Sequence, residues 1–391
     1  MGGDPTTFVV SQTAHTPPGV VPPPRHLTRA CNARWAKKAL LRTRPISTVW
    51  GNIRRDVHHN SASTRPNADR SPHIMFADVT ADDVQRAEKR LRDTVRRTEL
   101  RHATRLAKRT ERDVWLKLEN EQVTGSFKIR GAYNAIASLS PADRARGVVT
   151  ASAGNHGRGV ALAAQQFGIR ATIFIPRTAP RVKIDGMRDC GASIDAESAH
   201  YDEAHARAIA FAKDHDVTYV DPTAGAPLVA GHGTVALEIV EQLPAVACVI
   251  VPVGGGGLAG GMGAFLRAAR PDVRIIGAQS ANTSAMARSL EAGQVVDIPV
   301  LPTLADGLAG AINEHGLDVG RHALDEIIVV EEADVAAAIA FLAREENVVA
   351  EGSGAVGVAA LLAGAPTVVD PVVIVVSGGN IDTEVLSRIL A

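Results

Sequence analysis

Four consecutive glycines, Gly254 to Gly257, stand between an apolar run, Val249 to Val253, and an Ala-rich helical pattern, Leu258 to Ala269. Glycine loses more conformational freedom on folding than any other residue, so four in succession at the end of a strand need a local reason. The reason that fits is a backbone that comes close enough to wrap a phosphate at a helix N-terminus. Such a turn joins a strand to a following helix, and the rest of the chain repeats that alternation. Strand-like runs at Val114 to Leu118, Gly147 to Ala151, Ala171 to Ile175, Cys248 to Val253, Val273 to Ala278 and Val372 to Val376 take turns with helical patterns. Those patterns cover Arg158 to Phe167, Asp202 to Lys213, Val229 to Gln242, Leu258 to Ala269 and Asp334 to Arg344. The alternation predicts an α/β fold with parallel or mostly parallel doubly wound sheets, in which ligands bind at loops leaving the carboxyl ends of strands. Order is expected to begin near Thr80, which has capping-box spacing to Asp83 ahead of the helical face Val84, Ala87 and Leu91.

Two further post-strand loops carry polar chemistry. After Ala151 come Ser152, Ala153, Gly154, Asn155, His156 and Gly157, small residues at a helix start that leave N–H groups free for an anion such as a carboxylate. After Val376 come Ser377, Gly378, Gly379 and Asn380, where a hydroxyl could meet one ligand atom or cap the next helix. The stretches Ala305 to Gly307 and Glu351 to Ala355 look like loop turns. A lysine, Lys128, lies in TGSFKIRGA, between a Gly-Ser turn and the helical pattern Ile129, Ala132, Ile136 and Leu139. At the first turn of a helix its ammonium form is disfavoured by the macrodipole, and a neutral amine is what Schiff-base chemistry needs. Gly255, Gly257 and Gly260 also satisfy GxGxxG, but Gln279 follows the next strand in place of the acidic residue that would hold a ribose, which counts against a dinucleotide site.

Lys plus Arg and Asp plus Glu number 42 each, so no global charge draws the chain to nucleic acid or to a membrane surface, and a small-molecule partner is expected. No apolar run reaches the roughly 18 residues that cross a bilayer. Cys31, Cys190 and Cys248 form neither a disulfide framework nor a zinc spacing, which fits a reducing, cytoplasmic setting. Residues 1–74 are Pro-rich and basic with few acidic residues, and read as a flexible extension: a transit segment, or sequence upstream of a start at Met75.

Lysine stretch, SAGNH, GGGG and SGGN occur in that order, and together they resemble the fold-type II pyridoxal-phosphate enzymes, closest to the serine/threonine dehydratase and serine racemase branch. The resemblance runs from about Met75 onward and takes in LKLEN (Leu116 to Asn120) and GHGTVALEI (Gly231 to Ile239). It implies a larger cofactor-binding lobe of residues 75–146 and 227–391 and a smaller lobe of residues 147–226, in a homodimer or homotetramer. By the same resemblance Lys128 holds pyridoxal 5′-phosphate as a Schiff base, Phe127 packs at its ring, and Asn155 meets the ring hydroxyl. Gly254, Gly255, Gly256 and Gly257 would hold the phosphate, Ser377 the pyridine nitrogen, and Glu351 would lie nearby. Ser152, Ala153, Gly154, Asn155 and His156 would receive the substrate carboxylate.

The activity implied is removal of water and ammonia from a β-hydroxy amino acid, L-threonine or L-serine, with Lys128 taking the Cα proton. A serine racemase-like isomerase, or a dehydratase of 3-hydroxyaspartate or of the hydroxyectoine pathway, is the alternative. Serine racemases carry a serine where Ala153 stands, so racemisation is expected to be weak or absent. Gln279 stands where that group often has a metal-binding glutamate, and no metal is expected. Glu99, His232 and Gly352 depart from the family's usual proline, glutamine and proline. The sequence stops soon after SGGN, so inhibition by isoleucine through a further regulatory domain is not expected.

Overall fold

The computed structural model describes residues 78–391, apart from residues 180, 300 and 366 and the side chains of residues 182 and 183. The expectation for residues 1–74 lies outside the described residues. In chain order the helices are α1 (Ala81–Leu91), α2 (Thr104–Thr110), α3 (Lys128–Ala137), α4 (Pro141–Arg146), α5 (Asn155–Phe167), α6 (Arg181–Arg188) and α7 (Tyr201–Asp214). They continue as α8 (Ala226–Gln242), α9 (Gly257–Ala269), α10 (Ala285–Ala292), α11 (Glu314–Ala323), α12 (Glu332–Glu345), α13 (Gly352–Leu362) and α14 (Thr383–Leu390). The strands are β1 (Leu100–His102), β2 (Val114–Lys117), β3 (Val148–Ala151), β4 (Ala171–Pro176), β5 (Ser193–Ser198), β6 (Thr218–Tyr219), β7 (Cys248–Pro252), β8 (Arg274–Ser280), β9 (Glu326–Val330) and β10 (Val372–Val375).

Two sheets form. A six-stranded sheet has the order β1-β2-β10-β7-β8-β9 and a four-stranded sheet the order β5-β4-β3-β6. Every pairing is parallel except the short edge strand β1, which runs antiparallel to β2. Strands β3, β7 and β10 are buried at every residue, as expected of parallel strands covered on both faces. The first helix starts where the sequence predicts: Thr80 and Asp83 form a reciprocal capping box, and Val84, Ala87 and Leu91 are its buried face.

One expectation needs correction. Glu351 to Ala355 is no loop turn, because Glu351 caps α13 and Gly352 to Ala355 are its first turn. The helix is buried on nearly all sides, so its sequence is apolar throughout and carries no 3.6-residue stripe to read. Its glycines admit close neighbours: a Cβ on Gly352 would lie 2.0 Å from the Leu304 carbonyl oxygen. The stretch Ala305 to Gly307 leads into a 3-10 turn, Asp306–Leu308, packed under that helix, with the Gly307 N–H donating to Ser353 Oγ.

Behind α3 lies a charge cluster sealed from solvent. Arg130 grips Glu119 with two hydrogen bonds of 2.8 Å and Glu238 with bonds of 2.7 and 3.0 Å. Lys117 donates to Glu238 at 2.6 Å, to Gln242 at 2.8 Å and to the Thr98 carbonyl at 2.8 Å. Two cations and two carboxylates balance, and all four residues are buried. Burial alone would raise the pKa of Glu119, but Arg130 holds it below the ordinary carboxylate value. The cluster ties β2, α3 and α8 together and so fixes the helix whose first residue is Lys128.

Candidate active site

Lys128 opens α3 directly after a loop bound to the loop that follows β10. Phe127 N–H donates to the Ser377 carbonyl at 3.0 Å, Gly379 N–H donates to the Gly125 carbonyl at 2.9 Å, and Ser126 bridges Gly378. Gly125 has φ +74°, a conformation that favours glycine. The TGSFK and SGGN stretches are therefore one structural unit. The Phe127 ring turns inward, edge-on to the His232 ring at 4.7 Å between centroids, and the Lys128 Nζ stands 5.2 Å from the Phe127 centroid.

Lys128 Nζ donates a 2.7 Å hydrogen bond to the Pro222 carbonyl. Burial of the amine lowers its pKa to about 8, against the opposing charges of Asp221 and Glu351. The direction is the one expected from the sequence, but the larger cause is desolvation rather than the helix dipole. The neutral fraction then rises through about pH 8. In cofactor-free protein, capture of an aldehyde by Lys128 should accelerate from pH 7 to about 8 and level off above it, measured by absorbance after mixing. A flat rate over that range would refute the assignment. Stability follows the same linkage. Between the folded value of about 8 and the ordinary 10.5 the unfolded chain binds more protons, so the cofactor-free protein gains stability as pH rises through that window.

The glycine run sits where β7 hands over to α9. No hydrogen bond from the backbone N–H of Gly254, Gly255, Gly256 or Gly257 occurs among the described residues, and the helix has no side-chain cap. A Cβ on Gly255 or on Gly257 would lie 2.7 Å from Thr223, and one on Gly254 would lie 3.1 Å from Leu308. This is a backbone cradle with unclaimed donors at the positive end of a helix, which is the chemistry a phosphate requires. The N-terminus of α5 offers a second such end: Gly154 stands at its cap, its own N–H reaching Ser152 Oγ at 3.3 Å, and Ser152, Ala153, Gly154 and Asn155 are half-buried around it. His156 is turned into the protein, with Nε2 3.1 Å from the Val220 carbonyl. Burial, then the nearby Lys128 charge, pushes its pKa down to about 3, so the ring is neutral. Its backbone N–H, rather than its side chain, is the group placed to meet an anion.

Asn155 donates to Glu351 Oε1 at 2.6 Å, and Ser377 Oγ is buried beside Ser353, whose carbonyl it reaches only at 3.4 Å. So long a bond is weak and easily exchanged for another partner. Lys128, Asn155, Glu351 and the Ser377–Gly378 turn thus lie together, with the glycine cradle joined to them through the Asp221–Thr223 turn. That turn is a part of the site the sequence reading missed. It follows β6, a strand of only two residues, and an Asp-Pro pair after a run so short gave little signal. Gln279 lies elsewhere, buried, with its amide donating to the Val253 and Thr283 carbonyls and accepting from the Ala287 N–H. Among the described residues no cluster of three or more His, Cys, Asp or Glu could hold a metal ion.

A buried amine of lowered pKa, a glycine phosphate cradle and a hydroxyl at a third loop fit pyridoxal 5′-phosphate. Comparison with known proteins agrees. Residues 91–378 match the family described as pyridoxal-phosphate dependent enzyme. The chain is 45% identical to the L-threonine ammonia-lyase of Thermotoga maritima, over 80% of this chain and 78% of that protein. Among solved structures it is similar to maize serine racemase, with TM-score 0.76 and 32% identity over 79% of this chain and 96% of that one. The processed form of threonine deaminase isoform 2 from Solanum lycopersicum gives TM-score 0.74 and 32% identity over 79% of this chain and 94% of that one. The chain therefore belongs to the pyridoxal-phosphate dependent enzymes, in the fold-type II serine/threonine dehydratase group.

Proposed function

We propose that this protein is an ammonia-lyase that removes water and ammonia from a β-hydroxy amino acid, converting L-threonine to 2-oxobutanoate and L-serine to pyruvate. The observation that carries the reading is Lys128, a buried amine of lowered pKa, in a chain 45% identical to an L-threonine ammonia-lyase. Pyridoxal phosphate, when bound, withdraws electrons from the Cα of an attached amino acid. The protein's own groups do the rest. The N–H groups of Gly254 to Gly257 would hold the phosphate and those at the start of α5 the substrate carboxylate, which would bring Cα to Lys128. As a neutral amine Lys128 would accept the Cα proton, and that proton balances the hydroxide lost from Cβ, so that the β-hydroxyl leaves as water. The unsaturated amine that is released rearranges and hydrolyses to the 2-oxo acid and ammonia.

By the resemblance Ser377 would offer a hydroxyl, not a carboxylate, to the ring nitrogen of the bound cofactor. A hydroxyl there would leave that nitrogen largely unprotonated and would favour prompt loss of the β-group. Likeness to maize serine racemase supports a second reading, isomerisation. Ala153 argues against it, because a methyl group has no proton to exchange at Cα. A smaller lobe of residues 147–226 within a larger one of residues 75–146 and 227–391 belongs to the same reading. It is supported by sheet membership, since every strand of the four-stranded sheet falls between Val148 and Tyr219. A cytoplasmic setting and the homodimer or homotetramer implied by the resemblance belong to that reading as well.

The test is a 2-oxo acid and ammonia assay across L-threonine, L-serine, 3-hydroxyaspartate and hydroxylated analogues, with chiral analysis of the residual serine. Equimolar 2-oxo acid and ammonia from threonine or serine is the expected result. D-serine accumulating as fast as pyruvate would overturn elimination in favour of isomerisation, and no product from any substrate would overturn both.

A further inference from the structure

A continuous line of side-chain hydrogen bonds joins the part of the molecule built on the four-stranded sheet to the part built on the six-stranded one. It begins at a group that can only donate and ends at one that accepts. Arg158, on α5, donates from Nη1 to Asn380 Oδ1 at 2.7 Å. Asn380 donates from Nδ2 to Asn155 Oδ1 at 2.7 Å and to the Thr124 carbonyl at 2.9 Å. Asn155 in turn donates from Nδ2 to the Glu351 carboxylate at 2.6 Å.

The polarity of this line is over-determined. Two asparagine amides facing each other can turn over together without losing their mutual bond, since each has a donor end and an acceptor end of the same shape. Here they cannot. A guanidinium has no lone pair to offer, so Asn380 must face Arg158 with its oxygen. The Thr124 carbonyl has no proton to give, so the same residue must face it with its NH2. Asn155 then receives a donor from behind and must turn its oxygen to it, which leaves its own NH2 directed at Glu351 and the cofactor space. Gly125 completes the arrangement, since a Cβ there would lie 2.5 Å from Asn380 Oδ1 and displace it.

We propose that Arg158 and Asn380 are positioning residues that lock the Asn155 amide with its N–H groups toward the cofactor, so that the site takes the ring oxygen of pyridoxal phosphate in its ionised, acceptor-only form. This rests on the reading of Asn155 as the partner of that oxygen. One amide hydrogen is engaged by Glu351, and the second remains for the ring oxygen. An amide turned the other way would present a carbonyl, and two acceptors could then meet only if the ring oxygen kept its proton. With NH2 presented, that proton belongs instead on the neighbouring nitrogen contributed by Lys128.

The experiment compares Asn380→Asp, Arg158→Met, Arg158→Lys and Asn155→Ala as holoenzymes. It reads the ratio of the band near ~410 nm, the protonated Schiff base, to the short-wavelength band of the neutral form, together with the dissociation constant of pyridoxal 5′-phosphate from cofactor-free protein. Asn380→Asp keeps the shape and an acceptor for Arg158 but cannot donate to Asn155, so it serves even if Arg158→Met fails to fold. Asn380→Asp should shift absorbance toward the short-wavelength band and weaken the cofactor by about 10-fold, the size of one charge-assisted hydrogen bond. Arg158→Met should move both in the same direction by less, because the Thr124 carbonyl still holds the Asn380 NH2. Arg158→Lys, which keeps a donor, should stay close to the wild-type ratio. The proposal is overturned if Asn380→Asp keeps the wild-type ratio, including by losing occupancy or thermal stability alone, while Asn155→Ala changes it. If Asn155→Ala changes neither ratio nor affinity, the assignment of Asn155 itself falls, and the relay with it.

Discussion

The Lys128→Ala protein is expected to lose 2-oxo acid production from L-threonine and L-serine by on the order of 10⁴-fold or more, because one substitution removes both the covalent anchor of the cofactor and the base at Cα. The absorbance near ~410 nm should vanish with it, and borohydride should no longer fix the cofactor to the chain. Folding should survive, since the substitution removes a buried amine whose ammonium form is already disfavoured by burial. Retention of a tenth of the activity, or of a borohydride-sensitive band, would show that another group does the chemistry.

The largest effect on stability is expected away from the chemistry, at Arg130. Arg130→Met removes the bonds that hold Glu119 and Glu238, leaving two buried carboxylates with Lys117 as the nearby cation. Breaking one member of a buried ion group costs about 3–5 kcal/mol, because the partners are left charged and desolvated. The thermal midpoint of the holoenzyme should fall by roughly 10 °C. Replacing Lys117, Glu119, Arg130 and Glu238 together by uncharged residues of similar volume should recover much of that loss, since a balanced buried cluster is not intrinsically more stable than an apolar one. A change below about 1 kcal/mol for Arg130→Met would mean that water reaches the cluster.

The sequence made these two residues unequally visible. Lys128 could be reached from its own neighbours, a Gly-Ser turn before a helical stripe, and the glycine run could be reached from the entropy such a run must overcome. The alternation of strands and helices gave the class of fold, because parallel strands are long apolar runs that stand out against amphipathic helices. The charge cluster was not legible as a cluster. Lys117, Arg130 and Glu238 lie on β2, α3 and α8, and only the folded order of those elements brings them together. Helix α13 was hidden by its own burial, and the Asp221–Thr223 turn by the brevity of the strand before it. The line from Arg158 through Asn380 to Asn155 was hidden for another reason: its residues are ordinary polar ones, and their meaning lies in which end of each amide faces which neighbour.

Strand order has a consequence for synthesis. In the six-stranded sheet β10, at Val372–Val375, lies between β2 and β7, which are made well before it, and its own continuation supplies Ser377 beside Lys128. Until the ribosome has delivered that strand, β2 and β7 each keep an open apolar edge, and such edges invite pairing with other chains. The nascent protein therefore cannot complete its large sheet in stages. It must hold two incomplete edges apart from their neighbours in the cell until the last inner strand arrives, and that arrival closes the sheet and builds the cofactor site in one event.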